Sequence, residues 1–285
     1  MTDTNSDGLI SVAIPVADGE SFIRSCLLSI IEQSYANIEI VVGDNRSTDR
    51  TREIVDSLSD PRIRVLPNPE RRLSIYENWQ RTVAAVKGDF VKIVAHDDGL
   101  KPGCLARQAA LLASDPTASM VASRRSIIDA RDRVLISARG LGRLRRAEMP
   151  RTAHLAEIVR ACARAGTNLL GEPASVLFRR KYLPEPLLDP TWNFEGDLDL
   201  YFRCLENGAA ILDDGVVAFF RVSPKQMSAQ VAGLQAREIQ HFFELSAARY
   251  PGSIRMTDAA FAAVNSHRLA WSRRLLYSYQ RIFYR

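Results

Sequence analysis

The sequence predicts an α/β fold: a mainly parallel central sheet with flanking helices, followed by a C-terminal helical extension. Three observations predict it. Short β-branched runs alternate with helix-period segments through the first hundred residues. The segments between those runs are long enough for crossover helices. Three of the runs also end in carboxylates or amides, on the edge where parallel sheets bind ligands.

Taken in order, ISVAIPV (10–16) reads as the first strand and ESFIRSCLLSIIEQ (20–33) as an amphipathic helix. IEIVVGD (38–44) is a second strand, and DRTREIVDSL (49–58) is a helix opened by Ser47, Thr48 and Asp49. RIRVLP (62–67) is a third strand. SIYENWQRTVAAVKG (74–88) is a helix whose Ser74 and Glu77 form a capping-box pattern and whose stop is Gly88. FVKIVA (90–95) is a fourth strand.

The second half is less regular. MVASRRSIID (120–129) reads as a strand, and the basic, glycine-containing 139–151 as a mobile loop, either a solvated connector or an anion contact. HLAEIVRACARAG (154–166) is helical, GEPASVLFRRKYL (171–183) a turn and strand, and GDLDLYFRCLENGA (196–209) a helix. VVAFFRV (216–222) is an apolar strand. From 231 to 250 and 257 to 285 the pattern is helical.

At 285 residues, with 46% hydrophobic and 25% charged residues, the chain can bury a sizeable core, which excludes global disorder. Its net charge of +5 fits anionic partners, but no aromatic-rich basic signature points to nucleic acid. Cys26, Cys104, Cys162 and Cys204 are widely spaced and form no C-x-x-C pair, so reduced thiols are expected. The start lacks a signal-peptide pattern and no run of about 18 apolar residues occurs, so the expected location is cytoplasmic with no membrane span.

The polar strand ends carry the functional reading. Asp18 follows the first strand, Asp44 and Asn45 the second, and Asp97 and Asp98 the fourth. Two adjacent anions repel, so Asp97 and Asp98 need either water or a cation beside them.

Together, SVAIPVAD, IEIVVGDNRSTDRT, NWQRTVAAVKGDFVKIVAHDDGLKPGCL, GEPASVLFRR, GDLDLYFRCLENG and FFRVSPKQMS resemble the family 2 glycosyltransferases, inverting enzymes of GT-A fold, over residues 9–228. The resemblance implies a sugar transferred from a nucleotide diphosphate, with UDP-sugar favoured, to a glycan or lipid-linked acceptor in surface polysaccharide or glycolipid assembly. It implies Mn2+ or Mg2+ held by Asp98, with Asp97 on the ribose or a metal-bound water. His96 would shape the turn.

The same resemblance places Pro15, Val16, Ala17, Asp18, Asp44 and Asn45 around the base, Arg71 with Arg72 on the diphosphate, and Asn78 at the pocket border. It makes Asp197 the general base, with Asp199 as runner-up. The chain departs from the family pattern at Ala17 (often Tyr), Asn45 (often Asp), Gly196 (often Glu) and Ser223 (often His). Those departures keep open a non-catalytic nucleotide- or glycan-binding module. A nucleotidyltransferase of related fold would want a glycine-rich triphosphate loop, which PVADGES does not supply.

The expected organisation is a catalytic domain at 1–228, with 9–100 binding the donor and 101–228 the acceptor, and the helical extension at 229–285. In that extension Phe261, Val264, Arg268, Ser272, Leu275, Tyr279 and Ile282 share helical spacing, interleaved with arginines and aromatics. Such a stripe suits an anionic membrane surface at the inner face of the cell membrane, the catalytic domain, or a second subunit in a homodimer.

Overall fold

A computed structural model describes residues 8–223, 232–258 and 260–269. Ten strands form one sheet: β1 (Ile10–Val16), β2 (Ile38–Asp44), β3 (Ile63–Val65), β4 (Phe90–Ile93), β5 (Gly99–Leu100), β6 (Ala118–Ile128), β7 (Val134–Arg139), β8 (Arg151–Ala153), β9 (Val176–Arg179) and β10 (Ala209–Arg221). Their order is β3-β2-β1-β4-β9-β6-β10-β5, with β7 beside β6 and β8 beside β10. The β3-β2-β1-β4 part is parallel throughout, as the alternating sequence pattern predicts. Beyond it, β9 runs antiparallel to both β4 and β6, while β10 lies parallel to β6. The sheet as a whole is therefore mixed, because the chain returns through β9 from the far side.

Among the described residues, helices α1 (Ile23–Ile31), α2 (Thr51–Ser57), α3 (Ile75–Ala84), α4 (Cys104–Ser114), α5 (Leu155–Ala165), α6 (Gly196–Leu205) and α7 (Ala232–Arg249) flank it, besides the helical tail segments 256–258 and 260–269. Strand alternation in β1 separates two cores. Ile10, Val12, Ile14 and Val16 pack with Cys26, Leu27 and Ile30 of α1 and Leu105 and Leu112 of α4. Ala13, Val41, Val91 and Ile93 face the other way, toward α3, α5, α6 and the α7 residues Ile239, Phe242 and Phe243. All four cysteines are buried free thiols.

Helix α3 shows how local sequence sets position. Ser74 Oγ accepts the Glu77 N–H while Glu77 accepts the Ser74 N–H at 2.7 Å, a closed capping box. The helix then lies so close to β2 that a Cβ at Gly43 would stand 1.9 Å from Thr82 Oγ1, so only glycine fits.

The 139–151 segment is more built than the sequence suggests. It holds the end of β7, a 3-10 turn at Gly142–Leu144 and the start of β8. Leu141 and Leu144, both fully buried, anchor it in the core, and the Leu141 N–H donates to the Leu169 carbonyl at 2.6 Å.

Residues 256–258 and 260–269 are helical, with Asp258, Ala262 and Ser266 buried and Phe261 and Val264 exposed. The stripe residues Ser272, Leu275, Tyr279 and Ile282 lie outside the described residues. No described helix is long and apolar enough to cross a membrane.

Candidate active site

The register Pro15↔Gly43 and Val16↔Asp44 brings the tips of β1 and β2 level, and the Asn45 N–H donates to the Val16 carbonyl at 2.9 Å. Ala17, half-buried, and the exposed Asp18 continue from there. Asp44, buried, accepts the backbone N–H and hydroxyl of Ser47 at 3.0 and 2.6 Å, which turns the chain toward α2. Asp18 adopts a left-handed φ of 50° and accepts the Thr48 N–H at 2.8 Å. That bond, then the Arg72 guanidinium, holds its carboxyl below the usual range.

Asn45 spends both ends of its amide on the Leu73 backbone, at 2.8 Å each, and so pins the loop before α3. Asn78 is buried and donates to the Gly43 carbonyl at 2.8 Å, fastening α3 to β2. Arg71 is ion-paired with the capping-box Glu77, whereas Arg72 reaches Asp18 across the pocket rim.

The His96-Asp97-Asp98 turn closes between the ends of β4 and β10. The Asp98 N–H donates to the Ala95 carbonyl at 3.0 Å, and the Asp98 carboxylate accepts the Arg221 N–H at 3.0 Å. His96 packs its ring against Gly19, where a Cβ would lie 2.7 Å from His96 Cδ2. Arg221, buried on the Phe22 ring, donates to the carbonyls of Asp97 and Asp129 and pairs with Asp132 at 2.8 Å. Asp98 is buried too. That burial, and next the Asp97 charge, push its carboxyl well above the usual range.

Those residues fit a divalent cation. An added positive charge would reverse the repulsion that now disfavours ionised Asp98. Two adjacent carboxylates supply hard oxygen donors, and among the described residues no group of three or more His, Cys, Asp or Glu forms a full cage. Mg2+ and Mn2+ suit such partial sites, which water and substrate phosphate oxygens complete.

Asp197 opens α6. Its Oδ1 accepts the Leu198 N–H at 2.7 Å and its Oδ2 accepts Asn168 Nδ2 at 3.1 Å. The Asn168 amide cannot turn over, since its Oδ1 already accepts the N–H groups of Leu170 and Gly171. Burial, then the Glu172 charge, push the Asp197 carboxyl up to about 7. Asp199 is paired with Arg203 at 2.7 Å on another face of the helix.

Sequence reading missed the residue that links these parts. Glu172 raises both Asp98 and Asp197, so its charge stands near both. It is ion-paired with the buried Arg125 of β6, beside Gly171 at a left-handed φ of 93°. The available signals were the carboxylate in GEP and the paired arginines inside the apolar strand MVASRRSIID. Asn168 gave no comparable signal.

Comparison with known proteins bears on the family and the fold. The family model described as glycosyl transferase family 2 matches residues 11–183, more than half of the chain. An uncharacterized protein of Mycobacterium tuberculosis is 31% identical over 175 residues, 61% of this chain and 54% of that protein. Glycosyltransferase GlyG of Streptococcus pneumoniae is 35% identical over 95 residues, 33% of this chain and 31% of that protein. The matched region thus spans about half of the first relative's length and a third of the second's.

Among solved structures, S. aureus TarS 1–349 in complex with UDP-GlcNAc superposes with a TM-score of 0.63 at 15% identity, covering 90% of this chain and 72% of that one. Mannosyltransferase PcManGT from Pyrobaculum calidifontis, in complex with GDP-Man and Mn2+, gives 0.62 at 19% identity, covering 98% and 75%. These likenesses show the fold, which is of GT-A type. With the family model covering both the strand-tip acids and Glu172, the chain belongs to glycosyl transferase family 2.

Proposed function

We propose that the protein transfers a sugar from a nucleotide diphosphate donor, a UDP-sugar in preference, to a hydroxyl of a glycan or lipid-linked acceptor, inverting the anomeric carbon. The observation that carries this reading is the family match over residues 11–183 joined to two held carboxylates, Asp98 fixed by the Arg221 N–H and Asp197 by Asn168. One carboxylate lies buried at a strand tip suited to a cation and the other, half-buried, at a helix start, oriented by Asn168. TarS bound to UDP-GlcNAc and PcManGT bound to GDP-Man with Mn2+ support a nucleotide-sugar donor.

In this reaction the acceptor oxygen bonds to the anomeric carbon as the bond from that carbon to the diphosphate oxygen breaks. The bonding electrons stay on the diphosphate. Asp197 takes the acceptor proton on its carboxylate, while Asn168 fixes the carboxylate plane. Asp98 would hold Mn2+ or Mg2+, with Asp97 on the ribose or a metal-bound water, and the cation's charge would offset that growing on the leaving diphosphate. The tips of β1 and β2, closed by Asp44 and Asn45, would seat the nucleoside.

A thermal-shift screen of UDP, GDP and TDP, and of their sugars, with and without Mn2+, tests the reading. A Mn2+-dependent rise in melting temperature is expected, largest for one base. No rise for any of them would defeat it. Asp98→Ala should abolish the Mn2+ dependence of donor affinity in calorimetry; unchanged dependence removes the metal role.

The reading extends to a cytoplasmic enzyme working in surface polysaccharide or glycolipid assembly at the inner face of the cell membrane. Support comes from Phe261, Val264 and Met256, which stay exposed on the described part of the tail helix.

A further inference from the structure

A cavity of about 590 Å³ lies on the outer side of α5. The inner side of that helix carries Ile158, Val159, Cys162 and Ala163 into the core, and burial with the charges of Glu195 and Asp197 raises Cys162. The cavity therefore opens on the face of α5 turned away from the candidate base. Its charged lining is Arg143 and Arg146 from the β7–β8 connection and Glu157, Arg160 and Arg164 from α5, with Ser253 closing it.

The charges do not balance. Glu157 is 2.6 Å from Arg151, outside the lining, and only 3.4 Å from Arg146. The fully buried Asp258 serves both Arg160 at 3.1 Å and Arg164 at 3.4 Å. Arg164 Nε is buried without a hydrogen-bond partner, and the Arg143 side chain makes no ion pair among the described residues. Four guanidiniums, those of Arg146, Arg151, Arg160 and Arg164, thus share two carboxylates, and four arginines line the cavity against the single carboxylate of Glu157.

Guanidinium forks converging on one hollow match tetrahedral oxyanions, because each presents paired N–H donors to two oxygens. Among the described residues no aromatic side chain lines the cavity to stack on a base. We propose that this cavity binds a multiply charged phosphate group, at a site separate from the donor crevice. The group belongs either to a soluble phosphate ester or to a lipid headgroup. The Phe261 ring, half-exposed, lies 5.3 Å from the Arg164 guanidinium and puts an apolar rim beside the charge.

The test is calorimetric titration of the full chain with tripolyphosphate, without divalent metal, so it does not depend on the donor reading. The variant is Arg143→Gln with Arg146→Gln; both residues are exposed, and the buried Asp258 pairs are left alone. At least a tenfold loss of tripolyphosphate affinity is expected, with UDP affinity in Mn2+ unchanged, and parent binding should weaken as salt rises. Equal affinity in variant and parent, or no parent binding at millimolar concentrations, overturns the site. Flotation with phosphatidylglycerol-containing vesicles against phosphatidylcholine alone identifies the source. Flotation lost in the variant assigns a lipid phosphate, whereas unchanged flotation with lost tripolyphosphate binding assigns a soluble ester.

Discussion

Asp197 shows what a single half-buried carboxylate dictates. The proposed general base works only when ionised, and desolvation, then the Glu172 charge, hold Asp197 at about 7. Turnover should therefore fall tenfold per pH unit below about 7 and level off above it, which a pH profile of kcat reads directly. Asp197→Asn should leave donor affinity nearly intact and lower kcat by about 10²–10⁴ or more. Stability carries the opposite sign. In the unfolded chain the group titrates near 3.8, so the fold binds the proton more tightly and loses stability as pH rises from about 4 to about 7. Asp197→Asn removes that penalty. The variant should melt higher than the parent by several degrees at pH 8 and at nearly the same temperature at pH 4. Asn168 offers a second handle. Its Nδ2 donates to Asp197 from an amide that cannot flip, so Asn168→Asp sets an anion against the base. The limb of the kcat profile should move up by about a pH unit, because a like charge disfavours ionisation. An unmoved limb would separate Asn168 from Asp197.

Elements, rather than residues, decide whether Asp197 arrives in place. Helix α6 has no side-chain cap of its own at Glu195. Instead Glu238, from α7, accepts the N–H groups of Phe194 and Glu195 at 2.6 and 3.2 Å and the Asn193 amide at 3.2 Å. An anion there satisfies orphan donors and favours the positive end of the helix. Tyr76, pushed up to about 12 by burial and then by Glu238 and Asp197, packs into the same corner. Glu238→Ala should cost about 1–3 kcal/mol in a denaturant titration. It should lower kcat more than it changes donor KM, and Glu238→Gln should recover most of both. Such a clamp is invisible in the sequence, where Glu238 is one polar residue on a helix more than forty positions away. What was legible was local. Alternation marked β1, β2 and β4, and Ser74 with Glu77 marked the start of α3. The two-residue β5 exists only through its partners Ala218 and Phe219, so no run of sequence announces it. Glu172, Arg125 and Asn168 escaped for the same reason, since each matters through a partner brought close by the sheet.

At the scale of the whole molecule, one sheet joins the strand-tip acids to the β10 end, and the tail helix braces the back of α5. Gly166, at a left-handed φ of 64°, leaves room for that contact, since a Cβ there would stand 2.8 Å from Ala262 O and Ser266 N. Asn265 Nδ2 donates to the Arg164 carbonyl at 2.8 Å and Gln240 Nε2 to Ser266 Oγ at 3.0 Å. The docked face is thus the small, polar one built on Asp258, Ala262 and Ser266, spaced by four. The apolar positions Phe261 and Val264 are left 48% and 66% exposed, which argues against the catalytic body as the partner of that stripe. A membrane surface suits them better, with basic and aromatic residues continuing in the sequence beyond Leu269. A cut before Thr257 would test this badly, because it strips Asp258 from Arg160 and Arg164 and leaves them without their buried carboxylate. A chain ending at Leu269, with Phe261→Asp and Val264→Asp, keeps the brace and removes the stripe. It should melt close to the parent, remain at the bottom of a gradient with anionic vesicles that float the full chain, and lose that difference in high salt. If both chains float alike, the tail's exposed face serves something other than a membrane; a shift in sedimentation from dimer to monomer on the same substitutions would assign it to a second copy.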